Sequence, residues 1–234
     1  MFITSLNVLV VAAHPDDEIL GMGGTILKHA SRNDNVTIVY LATGITARKS
    51  SSKIKSTEDK KLQKDILELR QDALKAAKIL KVKNVKFYDF PDNQMDSITL
   101  LKVVKAIEKE IKLVKPQRVY TNHYGDLNID HKIVSNATIT ACRPLNGPVK
   151  EIFSFEVLSS TEWSIPYSFK PNYFVNIKKQ LPKKIKAMEK FKGEIRDFPH
   201  PRSSKNMNYV AGRWGSVSGF EAAEAFEIIR KIED

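Results

Sequence analysis

The sequence lacks the features that define several classes of protein. It has one cysteine, Cys142, in 234 residues, which excludes an internal disulfide framework and fits a reducing cytoplasm. It has no run of about 18 apolar residues, so we expect no transmembrane segment. The N-terminal stretch MFITSLNVLVVAAHP lacks a basic start and a small-residue cleavage site, and we interpret it as a first strand and not as a signal peptide.

Acidic residues are fewer than basic ones. The sequence has 38 Lys and Arg and 27 Asp and Glu, which gives a formal net charge of +11. The lysines are scattered, and no zinc-finger spacing, basic zipper or aromatic RNA-binding signature accompanies them. We therefore expect no specific nucleic-acid partner. A solvated basic surface that helps to attract an anionic substrate is the better interpretation.

Buried strands alternate with amphipathic helices through the first 145 residues, which predicts an α/β fold with a parallel sheet covered on both faces. The predicted strands are 6–13, 35–43, 84–90 and 116–123. The predicted helices run to about residue 30 and over 62–80, 99–115 and 129–142.

The rhythm changes after Pro144, where we predict strands in EIFSFEVLS and YFVNI, a basic helix, and a terminal helix in GFEAAEAFEIIRKI. With no repeat and no clear linker, we expect one domain over 1–234, with a core at 1–145 and a C-terminal elaboration at 146–234. Ligands of such sheets bind outside the C-terminal ends of the strands, where HPDDE, TGITAR, FPD and NHYGDLNIDH should converge.

The string HPDDE, which begins at His14, has three interpretations. A helix start explains Pro15 and one acid, but not a histidine together with three acids. A dinucleotide-binding turn needs glycines directly after the strand, whereas here they come at 21, 23 and 24, where we expect them to let the helix pack closely on the sheet. In a metal site, His14 and Asp17 would face one cation and His131 would be the third ligand, a donor set typical of catalytic zinc.

Two strings, AHPDDE and DLNIDH, resemble the PIG-L/LmbE-like zinc-dependent de-N-acetylases. TGITAR, ELRQDALKAAKIL, FYDFPD, TACRP, SSTEW, FKPNYF, GEIRDFPHPRSS and AEAF resemble a bacterial branch of that family, in order, across nearly the whole chain. The resemblance implies a Rossmann-like fold with a mostly parallel sheet. It also implies a hydrolase that removes an N-acetyl group from an amino-sugar or glycoconjugate with a water molecule activated by Zn2+, although the ligand types would permit another divalent transition metal.

The resemblance also implies roles for individual residues. His14, Asp17 and His131 correspond to the zinc ligands, and Asp16 corresponds to the general base, which would take a proton from water and pass it to the leaving amine. Asp130 would orient a neighbouring imidazole, or it would be an exposed acid near a helix start.

One position departs from the family pattern. Many relatives carry a histidine three positions before the second ligand histidine, and this chain has Asn128 there. An amide can donate a hydrogen bond to an oxyanion but cannot exchange a proton. We therefore predict that His123 or His200 supplies the missing imidazole.

Further side chains are candidates for substrate binding. Arg48, Arg70 and Asp92 match positions that line the sugar pocket of relatives, although Arg70 could instead be a solvated helix residue. Arg202 suits an anionic group such as a phosphate. Trp163 would be either a stacking wall or a buried aromatic.

Two other functions stay open at this point. One is a metal-dependent amidase that acts on a non-sugar acetamide, and the other is a catalytically silent sugar- or nucleotide-binding protein of the same fold. The intact set of metal-site residues argues against silence, because a binding protein has no use for a base at Asp16. A homo-oligomer is compatible with the sequence.

Overall fold

The computed structural model describes residues 5–45 and 56–233, in which one sheet is flanked by helices. The strands are β1 (Asn7–Ala12), β2 (Asn35–Ala42), β3 (Asn84–Phe90), β4 (Arg118–Asn122), β5 (Glu151–Phe155), β6 (Tyr173–Asn176) and β7 (Ala223–Lys231). The helices are α1 (Asp17–Ser31), α2 (Ser56–Ile79), α3 (Leu100–Val114), α4 (Ile129–Ala141), α5 (Leu181–Met188) and α6 (Ser204–Ser218).

The strand order is β3-β2-β1-β4-β5-β7-β6. Neighbours from β3 to β5 pair in parallel, and β7 pairs antiparallel with both β5 and β6. This confirms the mostly parallel Rossmann-like sheet. The order reverses between β1 and β4, so a crevice opens outside the C-terminal ends of these two strands, where such sheets bind ligands.

Both faces of the sheet are covered. On one face, Val8 and Val10 of β1 belong to an apolar core that includes side chains of α1, α2 and α5. On the other face, Leu9 and Val11 belong to a core with α3 and α4. Cys142 lies in this second core, and its burial raises the pKa of the thiol to about 12, as expected for an inert side chain. No helix in the described residues is long and apolar enough to cross a bilayer.

Helix α1 bends at Met22, where φ is −147°. In a regular helix the Gly24 amide would donate to the Leu20 carbonyl. Here Glu224 of β7 accepts from the Gly24 amide at 2.8 Å, and Lys184 of α5 donates to the Leu20 carbonyl at 2.9 Å. The buried ion pair between Lys184 and Glu224 (2.7 Å) therefore satisfies the backbone groups at the bend.

The glycines of α1 pack as predicted from the sequence. A Cβ built on Gly21 would lie 2.3 Å from the Phe155 ring of β5 and 2.7 Å from the Glu156 carbonyl oxygen. A larger side chain would therefore push the first turns of α1, with their acidic residues, away from the end of the sheet.

The prediction of a terminal helix in GFEAAEAFEIIRKI is wrong, because most of this segment forms β7. Alanine and glutamate favour helices in isolation, but β7 lies between β5 and β6 and its first residues are buried. Phe226 packs into the main core, while Ala223 and Ala225 contact the cluster around Trp214. Helix α6 was not expected from the sequence either.

Candidate active site

A cleft of about 290 Å³ lies at the reversal of strand order. It is lined by the corner between β1 and α1, by the turn after β3, by the start of α4, and by loops of the C-terminal elaboration. The lining side chains that bear on chemistry are His14, Asp16, Asp92, Asn93, Asn128, His131, Trp163, Glu194, Arg196, His200 and Arg202. The polar strings that follow β1, β3 and β4 therefore converge, as expected.

Three side chains bring potential ligand atoms together beside this cleft. His14 Nδ1 lies 3.2 Å from His131 Nε2, which lies 3.3 Å from Oδ2 of Asp17. That oxygen lies 3.7 Å from His14 Nδ1. Zinc bonds of about 2.0–2.1 Å in a tetrahedral site separate two ligand atoms by about 3.4 Å. The three atoms match one face of such a site, and two imidazoles with one carboxylate suit a divalent transition metal.

A carboxylate contacts the other nitrogen of each imidazole. His14 Nε2 lies 3.0 Å from Asp130 Oδ2 and 3.0 Å from Asp92 Oδ1. His131 Nδ1 lies 3.2 Å from Asp126 Oδ2. Such contacts set the ring orientation and the tautomer, and leave His14 Nδ1 and His131 Nε2 as the nitrogens that can bind a metal.

His14 Nε2, Asp92 and Asp130 form a second group of potential ligand atoms, all within 4.8 Å of one another. Asp130, however, already accepts hydrogen bonds from the Asn93 amide at 2.6 Å and the Met95 amide at 3.0 Å. A carboxylate held by backbone amides acts here as a hydrogen-bond acceptor for His14. The group with two imidazoles is therefore the better candidate for a metal.

The buried carboxylates make this region favourable for positive charge. Burial lowers the pKa of His14, but hydrogen bonds to its carboxylate partners and the Asp17 charge outweigh burial and raise the pKa to about 10. Burial likewise lowers the pKa of His131, and the charges of Asp17 and Asp126 raise it to about 9. A cation between the imidazoles, either a proton or a metal ion, would balance these charges.

Asp16 lies beside the metal-ligand candidates with its backbone in the left-handed region at φ 110°, which costs a non-glycine residue about 1–3 kcal/mol. The residue is 2% exposed, and Oδ2 accepts a hydrogen bond from Arg202 Nη1 at 2.9 Å. Burial raises the pKa of Asp16, the Arg202 charge opposes the rise, and the Asp17 and Glu18 charges add to it, with a result of about 7. Such a carboxylate suits proton transfer near neutral pH.

Asn128 lines the cleft and also caps α4. Its Oδ1 accepts from the Asp130 amide at 2.8 Å, and its Nδ2 donates to Asn93 Oδ1 at 2.9 Å. These bonds tie the start of α4, which carries His131, to the turn after β3. Asn128 therefore has a structural role in addition to any contact with substrate.

Of the two histidines expected to supply the missing imidazole, the structure brings His200 to the cleft. Its Nδ1 accepts a hydrogen bond from the Arg202 amide at 3.1 Å, so the proton of the neutral ring lies on Nε2. Burial and the charges of Arg202 and Arg196 lower its pKa. His123 instead is fully buried outside the cleft lining, with Nε2 3.3 Å from Glu227 Oε2.

Only some of the candidate substrate residues lie at the cleft. Arg70 stacks over Phe87, forms an ion pair with Asp89 at 2.5 Å, and is not among the described residues that line the cleft. Arg48 lies outside the described residues. Trp163 lines the cleft and is half exposed, so it is a wall residue and not a buried aromatic.

Several residues that shape the site were not expected from the sequence. Asn122, the last residue of β4, donates to Asp17 Oδ2 and accepts from the Ala13 amide, both at 3.0 Å. Asp126 contacts His131, and Glu194 binds Arg202. The strand-end string TNHYGDLNIDH gave a signal for Asn122 and Asp126, and Glu194 lies in the family-like string GEIRDFPHPRSS, in which only His200 and Arg202 were singled out.

A protein-family model matches the part of the chain that carries the metal-ligand candidates. The model, PIG-L, is described as GlcNAc-PI de-N-acetylase and matches residues 9–142, more than half of the chain. The chain belongs to this family. The resemblance on which the sequence analysis relied is therefore confirmed.

Two curated relatives are deacetylases by name. YaiS of Escherichia coli strain K12, an uncharacterized deacetylase, is 27% identical over 192 residues, which cover 80% of this chain and 90% of that protein. Diacetylchitobiose deacetylase of Thermococcus kodakarensis is 25% identical over 238 residues, which cover 97% of this chain and 84% of that protein. The similarity therefore extends beyond the family segment into the C-terminal elaboration.

The same fold also serves another reaction. GalB of Pseudomonas putida KT2440, a 4-carboxy-2-hydroxymuconate hydratase, superposes with a TM-score of 0.74 at 21% identity, covering 97% of this chain and 98% of that one. The fold alone does not specify deacetylation, because the reaction depends on the residues of the site.

Proposed function

We propose that the protein is a metal-dependent hydrolase that removes the N-acetyl group from an amino-sugar or glycoconjugate. The observation that carries the proposal is the approach of the ligand atoms of His14, His131 and Asp17 to within 3.7 Å of one another. Family membership and two relatives named as deacetylases support amide hydrolysis over the other reactions of this fold.

His14 Nδ1, His131 Nε2 and Asp17 Oδ2 would hold Zn2+ or another divalent transition metal. When bound, such a metal lowers the pKa of a water molecule to about 7 and polarises the acetyl carbonyl. Asp130 and Asp126 contact the opposite nitrogens of the two imidazoles and keep the ligand nitrogens facing each other.

Asp16 would act as the base and then as the acid. Its carboxylate takes a proton from the attacking water, and the same proton passes to the amide nitrogen so that the sugar leaves as an amine. Burial holds the pKa of Asp16 at about 7, so both protonation states are accessible near neutral pH. General catalysis of this kind contributes about 10²–10⁴-fold to a rate.

His200 is the better candidate for the role that Asn128 leaves incomplete. Its neutral ring carries the proton on Nε2, so it would donate a hydrogen bond to the oxyanion that forms on the acetyl carbonyl. A donor aimed at developing charge is worth about 2.7–4 kcal/mol in transition-state stabilisation. Asp92 and Asn93 would bind sugar hydroxyl groups, and Trp163 would stack against a ring.

An acetate-release assay tests the proposal. The zinc-loaded wild type is incubated with a panel of N-acetylated sugars, a nucleotide sugar and non-sugar acetamides, and products are measured by mass spectrometry. We expect acetate from at least one sugar and a loss of about 10²–10⁴-fold in kcat for Asp16→Asn with its metal content unchanged. Asp72→Asn, which removes an acid paired with Lys75 on α2, is the matched control and should keep wild-type turnover.

The other outcomes separate the alternatives. Undiminished turnover by Asp16→Asn would remove that residue from the mechanism. Turnover of non-sugar acetamides alone would indicate a different amidase. A wild type that binds zinc and sugars but releases no acetate would favour a binding protein.

A further inference from the structure

Arg202 binds two carboxylates of the chain, and one of them belongs to the proposed base. Its Nη1 donates to Asp16 Oδ2 at 2.9 Å and to Glu194 Oε2 at 2.5 Å, and its Nε donates to Ser159 Oγ at 2.7 Å. The sequence suggested that Arg202 meets an anionic group of the substrate. These contacts instead direct the guanidinium towards carboxylates of the chain itself.

The geometry of this contact is tightly defined. A guanidinium is planar and presents its donors in a fixed fork, so three acceptors determine its position and its plane. Asp16 and Glu194 are both buried, and the Arg202 side chain is only 22% exposed. Water therefore competes weakly for these hydrogen bonds.

Two of the three acceptors belong to strained backbone. Asp16 has φ 110° and Ser159 has φ 71°, and non-glycine residues persist in such conformations only where surrounding contacts enforce them. Asp16 lies between Pro15 and the first turn of α1, and its backbone has neither a helical nor an extended conformation. Within this strained turn, the Asp16 carboxylate accepts the hydrogen bond from Arg202 Nη1.

We propose that Arg202 is a positioning residue, which binds Oδ2 of Asp16 and so fixes the carboxylate for proton transfer, while Glu194 and Ser159 hold the guanidinium in place. The inference rests on the proposed function, because that function makes Asp16 the base. Ser159, Glu194 and Arg202 all belong to the C-terminal elaboration. The core would then supply the metal ligands, and the elaboration would align the base.

Steady-state kinetics of Arg202→Met and Arg202→Lys test this role with the acetamide that the wild type turns over best. We expect kcat of Arg202→Met to fall about 100-fold, since a misplacement of about 1 Å costs this much, with KM within about twofold of wild type. Arg202→Lys should restore part of the loss because its ammonium still reaches one acceptor. Arg213→Met removes an exposed arginine packed on Trp214 and should leave both constants unchanged.

A raised KM with unchanged kcat would make Arg202 a substrate-binding residue and overturn the proposal, as would unchanged kinetics. Should Arg202→Met fail to fold, Glu194→Gln serves as the second variant, with an expected loss of about 10-fold in kcat alone. Crystal structures of the zinc-loaded wild type and variant provide a readout without turnover. The Asp16 carboxylate should rotate in the variant, and an unmoved carboxylate would overturn the proposed role of Arg202. This readout does not need turnover. A failure of the wild type to hydrolyse any acetamide would by itself count only against the proposed function.

Discussion

At the scale of single residues, the two histidines of the candidate metal site use different nitrogens. His14 turns Nδ1 towards the shared point because Asp130 contacts its Nε2, whereas His131 turns Nε2 there because Asp126 contacts its Nδ1. In each case the carboxylate contacts an imidazole but is not itself a metal ligand in our proposal. Removing one such carboxylate therefore frees a ring without removing a ligand atom.

Asp126→Asn should weaken zinc binding about 10–100-fold, the usual effect of losing the partner of a ligating histidine. The amide lacks the charge that favours the His131 tautomer with a free Nε2. Competition with a chromogenic chelator measures the affinity, and circular dichroism checks the fold. Asp96→Asn, at an exposed acid after β3, is the control, and equal affinities for the two variants would contradict the assigned role of Asp126.

The residues that could be predicted from the sequence are those with a fixed place relative to a strand end. His14 and Asp17 follow β1 directly, and His131 lies in the first turn of α4, so position alone suggested that they meet; the roles assigned to them stay predictions. The partners of Arg202 could not be predicted, because Asp16 lies 186 positions away. Such a contact depends on how a loop returns to the sheet, which no local pattern encodes.

At the scale of elements, the bend in α1 determines how its acidic first turn meets the sheet. Lys184 and Glu224 bind the carbonyl of Leu20 and the amide of Gly24, the two backbone groups that a straight helix would pair. Glu224 also accepts from the Thr25 amide at 2.6 Å, so the second half of α1 begins on a carboxylate, as helix N-termini favour. Elements β7 and α5 thus hold a bend that propensity alone would not produce.

Glu224→Gln should therefore destabilise the protein by about 3–5 kcal/mol, because it leaves the Lys184 ammonium buried without its partner. Urea unfolding followed by circular dichroism measures the loss. The matched control is Glu221→Gln, which breaks an exposed ion pair with Lys178 and should cost at most about 1 kcal/mol. Similar losses in the two variants would show that the buried pair does not stabilise the bend.

The C-terminal elements also show why the sequence predicted only part of the fold. Strands β1 and β2 are continuous apolar runs rich in β-branched residues, a pattern that indicates a strand buried on both faces. The segment that forms β7 begins GFEAAEAF, which favours a helix locally, and becomes a strand because β5 and β6 offer hydrogen-bonding edges on both sides. Helix α6 contains glycines, serines and asparagines of low helix propensity, and packing of Met207 and Trp214 stabilises it instead.

At the scale of the whole molecule, a buried polar contact joins two distant segments of the C-terminal elaboration. Glu156, directly after β5, accepts a hydrogen bond from the indole Nε1 of Trp214 in α6. Burial raises the pKa of Glu156 to about 7, although this hydrogen bond opposes the rise. The packing around Glu156 is therefore most stable when this carboxyl group is protonated.

This raised pKa predicts how stability depends on pH. The folded protein holds the Glu156 proton more tightly than the unfolded chain, so its contribution is complete below the unfolded value of 4.5 and is lost as pH rises through about 7. We expect the free energy of unfolding of wild type minus that of Glu156→Gln to fall by up to about 3 kcal/mol over this interval. Urea unfolding between pH 4.5 and pH 8 measures the difference, from which all titrating groups common to both proteins cancel. Glu189→Gln, at an exposed acid of α5's C-terminal end, is the control for the loss of a carboxyl group. A difference between wild type and Glu156→Gln that does not change with pH would contradict the raised pKa of Glu156.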